Sequence, residues 1–116
     1  MIEYENKISN CKYIVKQIKD LGIEDKYIGF YFVVSIEELL LNATYEIKSF
    51  YKDVYPKIAK LYEKNDCSIE RDIRHLINQT WQNGGKGELF KLFLGRKPSC
   101  CKFIYEIKNY LMRQII

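Results

Sequence analysis

YPKIAKLYEKNDCSIERDIRHLINQTW, residues 55 to 81, reads as two helices of unequal length joined by a polar turn. Pro56 stands where a first-turn proline forfeits no hydrogen bond, and Ile58, Ala59, Leu61 and Tyr62 follow at the spacing of a short amphipathic helix. Ala59 is small enough to let another helix cross closely. Glu63 to Cys67 is the expected turn, with Asp66 as the expected N-cap, because its carboxylate can accept the free N–H groups of the next first turn. The second helix is expected from Ser68 to about Gln82, where Asn83-Gly84-Gly85 stops it. A step of about 100° per residue puts Ile69, Ile73, Leu76, Ile77 and Thr80 on one side and Arg71, Arg74, His75 and Asn78 on the other. A short helix followed within a few residues by a polar-faced one is the layout of a DNA-reading helix-turn-helix. Arginine can bridge guanine O6 and N7, and histidine or asparagine can reach a base or a phosphate. The competing reading is an ordinary solvated face, since polar faces with two arginines are common.

Outward from this unit, helical periodicity continues in both directions. Ile8, Cys11, Ile14, Val15, Ile18 and Leu21 mark one face of a first helix ending at Gly22. Tyr27 to Asn42 contains YIGFYFVVSI, which is rich enough in β-branched and aromatic residues to suggest a buried strand. Its apolar pattern runs on through Leu39, Leu40 and Leu41 for about four turns, too long for an ordinary strand, so a helix buried on most sides is expected. Ile47, Phe50 and Tyr51 suggest the buried face of a further short helix over Tyr45 to Asp53. Past the second helix of the central unit come an apolar patch (Leu89, Phe90, Leu92, Phe93, Leu94), a turn at Gly95 to Pro98, and a last helix burying Phe103, Ile104, Ile107, Tyr110 and Leu111. The expectation is an all-α fold of about six helices around a helix-turn-helix, without a wing, in one domain over residues 1–116.

Composition narrows the function. At 116 residues, 47% hydrophobic and 29% charged, the chain suits one globular domain. Its longest apolar run, Tyr27 to Ile36, falls well short of the roughly 20 residues that span a bilayer. The start MIEYENKIS is acidic where a signal peptide is basic and apolar, so a cytoplasmic protein without membrane contact is expected. Cys11, Cys67, Cys100 and Cys101 form no C-x-x-C pair and lie far from the single histidine, His75, so no metal site, cofactor or redox role is assigned. The net charge of +4 is uneven: through Trp81 there are 12 basic against 13 acidic residues, and from Gln82 onward seven against two. That C-terminal surplus suits a polyanion such as double-stranded DNA, with Lys86, Arg96 and Lys97 the expected backbone contacts. Catalysis has no support, because Gly84 to Gly87 (GG-x-G) follows a helix rather than a strand and no nucleophile–base pairing is evident.

The motifs also resemble a family. Y-P-x-I-A-K, then E-R-x-I-R-H and a tryptophan, stand at the spacings seen in the effector domain of the stage zero sporulation protein A response regulators. YIGFYFVVSIEELL is similar to that family's glycine-led second helix, and GRKPSCCKFI to its G-x-K-P-[ST]-x-x-x-F-I segment before the last helix, so the resemblance covers roughly residues 12 to 113. It implies a six-helix transcription-factor domain that reads a short guanine-containing box, with Glu70, Arg71, Arg74 and His75 on the base- and phosphate-contacting positions. Ser68 replaces a usual arginine and Asp72 a usual small residue, each removing positive charge near DNA, while Cys67 stands at the usual N-cap serine. Family members normally carry an N-terminal phosphate-accepting receiver, which does not fit in this chain. A natural stand-alone effector domain is therefore expected rather than an excised piece, given the native-looking start. As a DNA binder the domain would gain avidity by self-association on tandem boxes, and the alternative function is a protein-interaction module that tunes RNA polymerase or a full-length relative with little DNA reading of its own.

Overall fold

The structure, a computed structural model, describes residues 2–43, 47–83 and 87–115. Among the described residues there are seven α-helices and no strand: α1 (Ile2–Lys7), α2 (Lys12–Asp20), α3 (Ile28–Asn42), α4 (Tyr55–Tyr62), α5 (Asp66–Gln82), α6 (Gly87–Leu92) and α7 (Cys100–Ile115). A π-helical turn, Phe50–Val54, leads directly into α4.

The long apolar run does form a helix. α3 buries Gly29 to Glu37 without interruption and then Leu40, and it packs against α2, α4, α5 and α7, so it is the axis of the fold. Its closest crossing is with α5, and Gly29 makes it possible. A Cβ at that position would lie 2.3 Å from the carbonyl oxygen of Asp72 and 3.0 Å from Cβ of Leu76. Hydrogen bonds fix α3 on its other side: the hydroxyls of Ser35 and Tyr62 meet at 2.6 Å, and the Tyr62 hydroxyl also donates to the Tyr31 carbonyl at 3.2 Å. These buried polar bonds tie α3 to the end of α4. The far end of α5 is held by aromatic packing, with Trp81 edge-on to Phe90, Phe93 and Phe103. The α-carbon radius of gyration, 13.2 Å, is that of a single folded unit of this length.

The local departures from expectation have physical causes. The first helix is broken: Ile8 to Cys11 form a turn in which the Cys11 N–H donates to the Ile8 carbonyl at 2.9 Å, so the first two apolar markers reach the core from a turn and α1 precedes it. Residues 47–49 are not helical. Asp53 holds this segment by accepting the N–H groups of Lys48 (3.0 Å) and Ser49 (3.1 Å), bonds that lower its carboxyl pKa, and only the π turn follows. Tyr45 lies outside the described residues. The apolar patch from Leu89 is partly helical, as α6, and Leu94 is not part of the core: it is fully exposed in a left-handed conformation (φ 53°).

Among the described residues, Glu37 is the one charged side chain in the core. Neither carboxylate oxygen has a hydrogen-bond partner. Burial drives its pKa well above the ordinary carboxylate value, opposed only by the charge of Lys108 on α7.

Candidate nucleic-acid interface

α4, its turn and α5 form the helix-turn-helix. The turn is shorter than the sequence suggests and comprises Glu63, Lys64 and Asn65. Glu63 takes the left-handed conformation (φ 56°) that ends α4, and the Lys64 N–H closes the helix by donating to the Ala59 carbonyl at 2.8 Å. With the chain reversed so early, Asn65 rather than Asp66 is the N-cap: its Oδ1 accepts the Ser68 N–H at 2.8 Å. Asp66 is the first helical residue, where its negative charge suits the helix dipole. α5 thus begins two residues before Ser68.

Ile69, Ile73, Leu76, Ile77 and Thr80 are all buried, and the Thr80 hydroxyl donates back to the Leu76 carbonyl at 2.8 Å. The opposite face carries Arg71, Arg74 and His75 exposed, with Ser68, Glu70 and Asn78 half-buried along its edges. Both arginines rest against carboxylates: Arg74 donates to Glu70 at 3.0 Å and Arg71 to Asp72 at 3.4 Å. The guanidinium side chains stay 58% and 64% exposed, so each pair contributes at most about 1 kcal/mol and can open when a stronger acceptor arrives.

Other elements add to this face. Lys97, in the segment before α7, donates to Asn78 Oδ1 at 2.9 Å, which brings a second cationic segment onto α5, and Arg96 beside it is exposed. Lys86 lies outside the described residues. From the segment before α3, the Tyr27 ring meets His75 edge-on at 5.7 Å and carries the Lys26 ammonium at 5.3 Å, while the Tyr27 hydroxyl accepts a hydrogen bond from the Asn83 amide at 3.2 Å. Four of the residues singled out in α5, Arg71, Arg74, His75 and Asn78, thus share a face with Lys97.

The family model described as sporulation initiation factor Spo0A C terminal matches residues 14–111. This chain belongs to that family. It is a DNA-binding effector domain of the sporulation-regulator type. No described helix is long and apolar enough to cross a membrane, and the described residues contain no His/Cys/Asp/Glu group that could hold a metal ion.

Sequence reasoning missed Tyr51 in this Spo0A-type domain. Helical spacing assigned it to a buried face. Instead it is 61% exposed on the π turn, and its hydroxyl donates to the Glu70 carboxylate oxygen that Arg74 leaves free. That bond and the charge of Glu70 raise the phenol pKa, keeping the proton on Tyr51. No periodicity in the sequence signals the contact, because it depends on a π turn reaching across to α5. Cys100 and Cys101 are free thiols at the start of α7. Cys100 lies 3.9 Å from the Glu70 carbonyl, and burial, reinforced by the charge of Glu70, pushes its pKa up to about 11.

Proposed function

We propose that this domain binds double-stranded DNA sequence-specifically, with α5 in the major groove and Arg71 and Arg74 reading base edges. The observation that supports it is the outer face of α5: two arginines and a histidine exposed on a helix whose inner face is clamped by α3 and α4. Glu70, Ser68 and Asn78 flank those arginines, and Asn78 receives Lys97, so a phosphate contact there would be coupled in position to the base contacts. Arg96, Lys97 and Lys86 act on the DNA backbone in this reading. The domain acts in the cytoplasm as a transcriptional regulator.

The test is fluorescence anisotropy with a box selected from randomised duplexes and its scrambled counterpart, over a salt series. Affinity for the selected box exceeding that for the scrambled one at every salt concentration is expected. Neutralising Lys97 should lower affinity for both duplexes and reduce the salt slope by about one unit. Equal, weak binding to the two duplexes would overturn sequence reading and favour the second role, a module that tunes RNA polymerase or a full-length relative.

A further inference from the structure

We infer that Tyr51 is a specificity-determining positioning residue, which fixes the base-reading geometry of Arg74 by holding Glu70. The inference rests on the proposed reading of DNA by α5 and adds a residue from outside the helix-turn-helix.

Glu70 is secured from three directions. One carboxylate oxygen accepts from Arg74 at 3.0 Å, the other accepts from the Tyr51 hydroxyl, and its carbonyl faces the Cys100 thiol of α7. Arg74 and Glu70 alone would be a pair on one helix with the arginine exposed and free to sample several rotamers. Tyr51 changes this because it belongs to another element and is itself supported. Its ring stands edge-on to Tyr55 at 5.4 Å and 87°, and Tyr55 is almost completely buried, with its own ring against Phe50. The rigidity of the core therefore passes through Tyr55 and Tyr51 to the Glu70 carboxylate, and from there to one side of the Arg74 guanidinium. The remaining N–H groups of Arg74 are held ready for a guanine. A fixed fork reads guanine in one register, whereas a mobile one also accepts phosphate or neighbouring bases.

The same bond determines what Glu70 does. A free glutamate on a recognition helix accepts readily from cytosine N4. With one oxygen on Arg74 and the other on Tyr51, Glu70 acts as a support and not as a reader. Loss of the Tyr51 hydroxyl frees an acceptor as well as loosening Arg74, so the preference of one base pair should change while the rest of the box is still recognised.

The experiment selects bound sequences from a pool of short randomised duplexes with wild type, Tyr51→Phe, Glu70→Gln and the double variant, and measures thermal unfolding of each. Wild type should enrich a box. Tyr51→Phe should enrich the same box with the preference at one guanine position weakened about three- to tenfold, a part of what a bidentate arginine contact supplies. Its unfolding temperature and salt slope should be unchanged. Glu70→Gln should weaken the same position, and the double variant should lose no more than the greater single loss. An unaltered base preference in Tyr51→Phe would overturn the inference, as would an equal loss at all positions accompanied by lower stability. A wild type that enriches no sequence would instead overturn the DNA-reading function beneath it.

Discussion

α3 and α5 are of similar length and cross at Gly29, but they are built on opposite plans. α3 is buried on nearly every side and packs against α1, α2, α4, α5 and α7, with only Glu38 and Asn42 exposed near its C-terminal end. α5 buries one stripe and presents charged groups on the other face. Side chains along α3 are therefore set by volume and by the backbone of its neighbours, and a change there acts on stability. Those on the outer face of α5 have solvent beyond them, and a change there acts on recognition. The crossing joins the two: the carbonyl that Gly29 approaches is that of Asp72, the residue whose carboxylate holds Arg71.

The sharpest way to break this division is Gly29→Ala. The added methyl would meet a backbone carbonyl at 2.3 Å, an atom that cannot rotate away, so the helices must separate. A loss of about 3 kcal/mol is expected in urea denaturation, at the upper end of overpacking costs. DNA affinity should fall with it, because α5 loses its seat. Unchanged stability would mean that α3 is not the axis on which α5 is fixed.

The opposite result is expected from Arg71→Ala and Arg74→Ala. Each should weaken binding to the selected box by about 1–3 kcal/mol, affect a scrambled duplex much less, and leave stability within about 0.5 kcal/mol. Equal losses on both duplexes would reduce these arginines to phosphate contacts.

The contrast between the helices also explains what the sequence made legible. Apolar periodicity marked the buried face of α5 residue for residue, and the length of the run from Tyr27 to Asn42 distinguished a helix from a strand. Motif spacing identified the helix-turn-helix and the family. Turns were harder to place, because a single left-handed residue, Glu63, decided that Asn65 and not Asp66 would cap α5. The contacts of Tyr51 with Glu70 and of Lys97 with Asn78 each span 19 residues and depend on how irregular segments pack, which no local pattern encodes. Glu37 was hidden for a related reason: Glu37-Glu38 ends the apolar run that begins at Tyr27 and so reads as a solvated pair, yet one of the two points into the core.

Glu37 sharpens the comparison as the buried charge on α3. Its pKa is raised in the folded state, so folding binds a proton as pH climbs above the unfolded value near 4.5. Its contribution is most favourable below that pH and is lost as pH rises through the folded pKa. Glu37→Gln should flatten this decline and add about 1 kcal/mol at neutral pH, measured by urea denaturation across a pH series, with DNA specificity unaltered. A parallel decline in wild type and variant would place the pH dependence elsewhere.

The smallest effect is expected on the outer face of α5, from Asp72→Ala. Asp72 sits at the boundary between the two plans, since its carbonyl packs on Gly29 and its half-buried carboxylate draws on Arg71. Alanine leaves the carbonyl in place and strengthens helix propensity slightly, so the crossing should persist. Removal of the carboxylate frees Arg71 and adds one unit of positive charge beside DNA, which should tighten binding about two- to fourfold at low salt and progressively less as salt screens it. Adding Ser68→Arg should extend the gain, because Ser68 lies half-buried in the first turn of the same helix and an arginine side chain there is long enough to reach a phosphate. The gain should appear on selected and scrambled duplexes alike, since charge acts on the backbone and not on base identity. Titration of both variants against the two duplexes over a salt series measures it. A gain confined to the selected box would mean that Asp72 restrains the base-reading geometry of Arg71, as Glu70 is inferred to do for Arg74; no gain at all would show that Arg71 already leaves the carboxylate when DNA binds.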